Sequence, residues 1–183
     1  MVSLAIPTMF GISITKDNED ALIEAATAAG WRQSATGTFS VVLVRGTQAL
    51  KIFDDPAYLK FLTHIVSPEN PTFPIVLEGP FVGAGLSVVI LERLKALSVK
   101  DFPLSDDIMT VFEMADNRGR LEYHCMYVLA LEEKIGSQGI DAIDLIIGLA
   151  DAFDLSIDIR PPNLMIRPAT EQLVFSDPLA IFH

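Results

Sequence analysis

Two β-rich runs, Phe39–Arg45 and Gln48–Phe53, are separated only by Gly46-Thr47. A two-residue connection cannot return a strand in parallel, which takes a crossover of a dozen or more residues, so the pair reads as an antiparallel hairpin. Val, Leu, Ile and Phe supply the pleated, half-buried surface such strands require. Two more strands are expected at Pro74–Glu78 and Leu86–Leu91. Between them Gly79-Pro80-Phe81-Val82-Gly83-Ala84-Gly85 is turn material, with Phe81 an exposed contact residue at its tip. Ahead of the hairpin, the spacing predicts a helix over Glu19–Ala29, capped by Asp17 or Asn18, stopped by Gly30 and striped with Leu22, Ile23, Ala26 and Ala29. A short helix follows over Pro56–Val66, with proline in its first turn. The segment Ser67–Thr72, with its two prolines, is a loop.

The second half changes character. Ser105 or Asp106 caps a helix reaching about Ala115. Arg118–Lys134 reads as helical, with Leu121, Cys125, Val128 and Leu129 on one face and the apolar stripe Leu121–Leu131 in the core. Ile140–Phe153 reads as a buried helix with Ile143, Ile146, Ile147 and Ala150 inward. Two short apolar runs, Leu164–Ile166 and Leu173–Phe175, then form a last hairpin. The expected class is α+β: one domain with an antiparallel-sheet N-lobe (1–91), a connector (92–96) and a reduced helical C-lobe (97–183), with a cleft between the lobes.

Half of the 183 residues are hydrophobic and 20% are charged, so a substantial core can be buried. Trp31 is expected in it. The net charge of −11 repels nucleic-acid phosphates and anionic membranes and favours a protein or small-molecule partner. Cys125 is the single cysteine, which forbids an intramolecular disulfide and fits a reducing compartment, with the thiol buried and structural. His64, His124 and His183 are scattered and give no zinc spacing. With no signal peptide and no apolar run long enough to span a bilayer, a cytoplasmic location is expected.

Chemistry concentrates in Asp158-Ile159-Arg160-Pro161-Pro162-Asn163-Leu164-Met165-Ile166, followed by Leu173-Val174-Phe175-Ser176-Asp177. An acid, an amide five residues on and a second acid after a short hairpin are the groups phosphoryl transfer needs. One carboxylate orients the acceptor hydroxyl and takes its proton, while an acid and an amide oxygen hold metal ions that bridge the phosphates. The competing structural reading is that Asp158, Asn163 and Asp177-Pro178 are turn residues, since Asp and Asn favour such positions.

The string resembles the catalytic loop of the protein kinase-like superfamily, in which Asp, an aliphatic, a basic residue, Pro, any residue and Asn precede an aliphatic pair. Asp158, Ile159, Arg160, Pro161, Asn163, Leu164 and Met165 match it in order. Upstream, Ala49-Leu50-Lys51-Ile52 resembles the strand carrying the ATP-binding lysine. Thr36-Gly37-Thr38-Phe39-Ser40-Val41-Val42 resembles a reduced glycine-rich loop, and Leu91-Glu92-Arg93-Leu94 stands where the family's hinge binds adenine. Within the superfamily, Asp177-Pro178 in place of Asp-Phe-Gly is most similar to the minimal, early-expressed kinases of short-tailed coliphages.

The resemblance implies a minimal two-lobed kinase-like fold using ATP and Mg2+. It implies Asp158 as catalytic base, Arg160 near the transferred phosphate, and Lys51 on the nucleotide phosphates. It further implies Gly37, Phe39, Glu92 and Leu94 around the nucleotide, with Asn163 and Asp177 as metal ligands. The expected function is an ATP-dependent Ser/Thr protein kinase that modifies a host protein, as a phage or bacterial effector would. Two alternatives remain. One is a pseudokinase that binds and inhibits a protein partner, because no glutamate stands in a convincing place to pair with Lys51. The other is a small-molecule kinase related to the aminoglycoside phosphotransferases.

Overall fold

The computed structural model describes residues 7–67, 69–97, 104, 106–111 and 126–181, with side chains from 129 onward in the last helix. Contacts divide the chain into two compact units, Met1–Asp55 with Val76–Arg93, and Pro56–Ile75 with Leu94–His183. The second change of unit along the chain falls between Arg93 and Leu94, and residues 56–75, which the sequence reading kept in the N-lobe, make their contacts in the second unit.

The first unit is built on a five-stranded antiparallel sheet. Its strands are β3 (Arg32–Thr36), β4 (Ser40–Arg45), β5 (Gln48–Phe53), β6 (Val76–Val82) and β7 (Ser87–Glu92), in the order β3-β4-β5-β7-β6. The hairpin expected from Gly46-Thr47 is present, with Arg45 opposite Gln48 and Gly46 at φ 57°. Strand β3 has no counterpart in the sequence reading. It is an edge strand with every residue exposed, so it carries no apolar alternation to betray it. Strand β6 runs on through Gly79-Pro80 to Val82 instead of ending at Glu78. This moves Phe81 off the expected turn tip and into the ladder opposite Val88, where its ring packs partly against the core.

One face of the sheet is covered by α1 (Glu19–Ala28), which buries Leu22 and Ala26 against Trp31, Leu43, Leu50, Ile52 and Val88. Ala29, expected on that stripe, is exposed because it lies at the helix end. Gly30, at φ 89°, turns the chain back there, and the N–H of Trp31 donates to Ala26 O. Trp31 is buried, with the Arg45 guanidinium 4.5 Å above its ring centre. Asn18 occupies the N-cap position without capping; its amide donates to Ser13 O instead.

The segment before α1, holding the short hairpin β1 (Thr8–Met9) and β2 (Ile12–Ser13), is fastened to the β6–β7 turn. Ala84 N–H donates to Ile14 O and Lys16 N–H to Ala84 O. The approach is so close that a Cβ on Gly83 would lie 1.7 Å from Ile14 O.

The second unit contains α2 (Pro56–His64), α3 (Met126–Phe153) and three short pairings that involve β8 (Lys95–Ala96), β9 (Ser156–Ile157), β10 (Leu164–Arg167), β11 (Gln172–Phe175) and β12 (Leu179–Ala180). The hairpin expected near the C-terminus is β10–β11, with Leu164 opposite Phe175. Helix α3 is broken at Gly136 (φ 74°, ψ 168°), so it consists of two helices meeting at a kink, in keeping with the separate helices expected at 118–134 and 140–153 over the described residues. Ile143, Ile146, Ile147 and Ala150 are buried as their spacing implies. Leu131 is buried but Leu129 is exposed: two residues apart on a helix lie about 200° apart around its axis, so both cannot face one core. Residues 106–111 are helical. Ser105, Leu121, His124, His183 and the side chains of Cys125 and Val128 lie outside the described residues.

Arg167, only 7% exposed, anchors the chain after α2 to the β10–β11 hairpin. Its guanidinium donates to the carbonyls of Pro71 and Phe73 and to Gln172 Oε1, while Phe175 N–H donates to Thr72 O. Such a buried charge is tolerated because its guanidinium is hydrogen-bonded.

Two stability outcomes follow. Gly83→Ala forces a methyl group into the Ile14 backbone and lowers stability by about 3 kcal/mol in chemical denaturation. Arg167→Met strands the Pro71 and Phe73 carbonyls and costs about 2 kcal/mol by the same measurement.

Candidate active site

The acid–amide–acid loop begins where β9 ends. β9 pairs antiparallel with β12, Ile157 opposite Leu179 and Ser156 opposite Ala180, and Ser156 Oγ donates to Ala180 O. The next rung continues outside the strands: Asp158 N–H donates to Pro178 O at 2.8 Å. This brings Asp158 beside Asp177-Pro178, nineteen positions along the chain. Between Asp158 and β10 the chain makes one 3-10 turn, Pro161–Asn163, entered from an extended Arg160. Prolines suit the start of such a turn, where an N–H would have no partner. Ile159, Leu164, Val174, Phe175 and Leu179 are all buried, so the polar residues of the loop are mounted on apolar pegs.

Asn163 is the junction of this loop. Its N–H donates to Arg160 O and its Nδ2 to Asp158 O, both at 2.8 Å. Its own carbonyl accepts from Ser176 N–H at 2.8 Å and Ser176 Oγ at 2.9 Å. A carbonyl accepts only, so the amide nitrogen must be the atom turned to Asp158. Oδ1 is then the amide's remaining polar atom, and no hydrogen bond to it occurs among the described residues. Asn163 and Asp177 flank the same end of the β10–β11 hairpin, which fixes their backbones relative to each other.

Arg160 grips Asp158 with a two-pronged pair, Nε to Oδ1 and Nη2 to Oδ2, each at 2.5 Å. Those bonds, then the Asp158 charge and further off the Asp177 charge, hold the Arg160 guanidinium above its ordinary value. Asp158 and Asp177 are half-buried and Arg160 is exposed.

The second unit thus brings together Asp158, Arg160, Asn163 and Asp177. In the first unit, Lys51 sits on β5, the third strand of the sheet in chain order, opposite Val42 and Val89 and 8% exposed. Gly37 closes the turn between β3 and β4 by donating to Ser40 O, and Phe39 on that turn is exposed. Phe39 O accepts from Asp54 N–H, tying the turn to the end of β5. Of the acids following Lys51, Asp54 is engaged by Lys16, at 2.7 Å, and this contact chiefly holds Lys16 above its usual value. Glu92 ends β7 opposite Gln48, whereas Leu94 belongs to the second unit just before β8. Ser176 had no role in the sequence reading, and Pro178 entered it only through the Asp177-Pro178 pair.

Among the described residues no group of three or more His, Cys, Asp or Glu is placed to hold a metal. Asn163 supplies an amide oxygen and Asp177 a carboxylate, both donor types that a hard divalent ion such as Mg2+ takes alongside water and phosphate oxygens. A cavity of about 290 Å³ lies elsewhere in the second unit, lined by Ser67, Glu69, Asn70, Pro71, Gln138 and Asp141, and none of the loop residues borders it. No helix among the described residues is long and apolar enough to cross a membrane.

No family model matches the chain, and no curated protein matches it in sequence. Among solved structures it is similar to a thermostable mutant of aminoglycoside phosphotransferase APH(4)-Ia in ternary complex with AMP-PNP and hygromycin B. That match has 15% identity and a TM-score of 0.38, and covers 89% of this chain and 71% of that one. It is also similar to aminoglycoside phosphotransferase APH(4)-Ia itself, at 14% identity and a TM-score of 0.35, covering 90% of this chain and 69% of that one. The narrower likeness to coliphage kinases finds no support in these comparisons.

Because the Asn163 amide closes the loop on Asp158, Asn163→Ala lowers stability by about 1 kcal/mol. It also speeds hydrogen exchange at the Ser176 amide, measured by two-dimensional NMR.

Proposed function

We propose that this protein is an ATP-dependent phosphotransferase whose catalytic loop is Asp158–Asn163. One observation carries the reading: the backbone ties Asp158 N–H to Pro178 O and Ser176 N–H to Asn163 O, which gather the acid, the amide and the second acid at adjoining strand ends. Turn formation alone explains Asp158 and Asn163 separately, but not the delivery of Asp177 to the same place across a hairpin.

The roles follow from the chemistry of the groups. Asp158 accepts the proton of an acceptor hydroxyl as its oxygen attacks the γ-phosphorus of ATP; the bond to the β–γ bridging oxygen breaks and ADP leaves. Arg160 orients the Asp158 carboxylate through its fork and adds positive charge beside the transferring group. Asn163 Oδ1 and the Asp177 carboxylate are the groups that would hold Mg2+. Bound there with the nucleotide, Mg2+ supplies charge neutralisation for the phosphates. Lys51, buried on its strand, is the point charge for the α/β-phosphates, with Gly37 and Phe39 on the turn of the same sheet and Glu92 and Leu94 at the adenine.

The acceptor we favour is a Ser or Thr hydroxyl of a host protein. The strongly acidic chain, at net charge −11, suits a basic partner rather than nucleic acid or membrane. The same acidity serves the alternative of a kinase-shaped protein that binds and inhibits without catalysis.

The test incubates the protein with γ-labelled ATP and Mg2+, beside Asp158→Ala and Asp177→Ala, with a bacterial lysate or with hygromycin B as acceptor. Label entering a protein band, and absent with both variants, is the expected outcome. Label on hygromycin B moves the acceptor to small molecules. No label, together with no ATP-dependent rise in Tm, eliminates the enzyme and leaves the binding protein.

A further inference from the structure

Ser176 is not among the groups that touch substrate or metal, yet it makes two of the bonds that hold the loop together. Its N–H and its Oγ both donate to Asn163 O, at 2.8 and 2.9 Å. The N–H bond is available to any residue but proline. The hydroxyl bond is specific to this side chain, and it acts on the same oxygen from a second direction. Asn163 is thereby gripped from both sides: its amide nitrogen is committed to Asp158 O and its carbonyl to Ser176. Ser176 is also the residue immediately before Asp177, so it couples the backbone of one proposed metal ligand directly to the backbone of the other.

We infer that Ser176 is a positioning residue, whose hydroxyl sets the separation of Asn163 Oδ1 and the Asp177 carboxylate and so tunes divalent-ion affinity. The inference rests on the phosphotransferase reading for the identity of the ligands. The physical argument is that a two-ligand site loses affinity as soon as its ligands drift. Mg2+ demands near-ideal octahedral geometry and Mn2+ takes the same hard-oxygen donors. Outer-shell partners of metal ligands typically change affinity by about tenfold or more. A merely structural serine would change stability without changing metal affinity at saturating nucleotide, because the folded fraction alone would fall.

The experiment titrates Mn2+ into the full chain with one equivalent of AMP-PNP and, in parallel, into AMP-PNP alone, following free ion by electron paramagnetic resonance and taking the difference as uptake by the protein, with circular dichroism confirming the fold of each variant. Ser176→Ala is expected to weaken Mn2+ binding about tenfold. Ser176→Thr, which keeps the hydroxyl, stays within about twofold of the original protein, and Asn163→Ala loses binding altogether. If Ser176→Ala does not fold, the near-isosteric Ser176→Cys takes its place, with a weaker donor and an intermediate loss expected. Equal Mn2+ affinity in Ser176→Ala and the original protein, alongside loss in Asn163→Ala, overturns the role of Ser176 while leaving the site intact. No Mn2+ uptake by the original protein with AMP-PNP overturns the phosphotransferase reading itself, and this inference with it.

Discussion

The pairing of β9 with β12 is the constraint on which the candidate site depends. It is only two residues long on each side, far too short to be stable alone. It persists because Leu179 and Ile159 are buried beside it and because the ladder is prolonged by Asp158 N–H to Pro178 O and Ser156 Oγ to Ala180 O. Remove that pairing and Asp158 and Asp177 become unrelated acids on separate loops. With it, two residues nineteen positions apart are joined through neighbouring backbone atoms, and the β10–β11 hairpin between them becomes a rigid spacer that also delivers Asn163.

The prolines explain why the loop has this form. Pro161 and Pro162 contribute carbonyls but no N–H, so the loop is short of donors just where Asp158 O needs one. Asn163 meets the shortage with its side-chain nitrogen, and Ser176 meets the next one, at Asn163 O, with two donors. Arg160, extended ahead of the turn, accepts the Asn163 N–H with its carbonyl and turns its side-chain fork to Asp158. The polar groups of the site are thus the hydrogen-bond completion of a donor-poor turn.

Much of this was legible in the sequence where pattern and chemistry coincide. The Gly46-Thr47 hairpin, the buried face of the second half of α3 and the β10–β11 hairpin each carry their own signal: turn length, helical spacing, or paired apolar runs. What escaped has a physical reason too. Strand β3 is a fully exposed edge held by its ladder alone, and Phe81 and Val82 extend β6 through a Gly-Pro pair that locally reads as a turn. Pairings of two residues, such as β9 with β12 and β8 with β10, are set by tertiary context and have no periodicity to detect. The candidate residues were named from the order of residue types along the chain. Ser176 was missed because a lone serine before an Asp-Pro has no such signature, and its role exists only once Asn163 has been folded against it.

The double use of Asn163 bears on whether the loop is chemical or merely architectural. If the only requirement were a donor for Asp158 O, a lysine or arginine side chain could meet it, and the amide's remaining polar atom would be of no consequence. An asparagine in this orientation necessarily presents an oxygen on its other side. Structure thus consumes the nitrogen and leaves a hard, neutral oxygen beside the hairpin end that bears Asp177. A neutral oxygen and a carboxylate together bind a divalent ion without concentrating so much negative charge that the incoming phosphates are repelled. Two carboxylates in these positions would bind the ion more tightly and the nucleotide less well. On the proposed phosphotransferase reading, an amide oxygen paired with a carboxylate is the compromise that a site shared by metal and polyphosphate would favour.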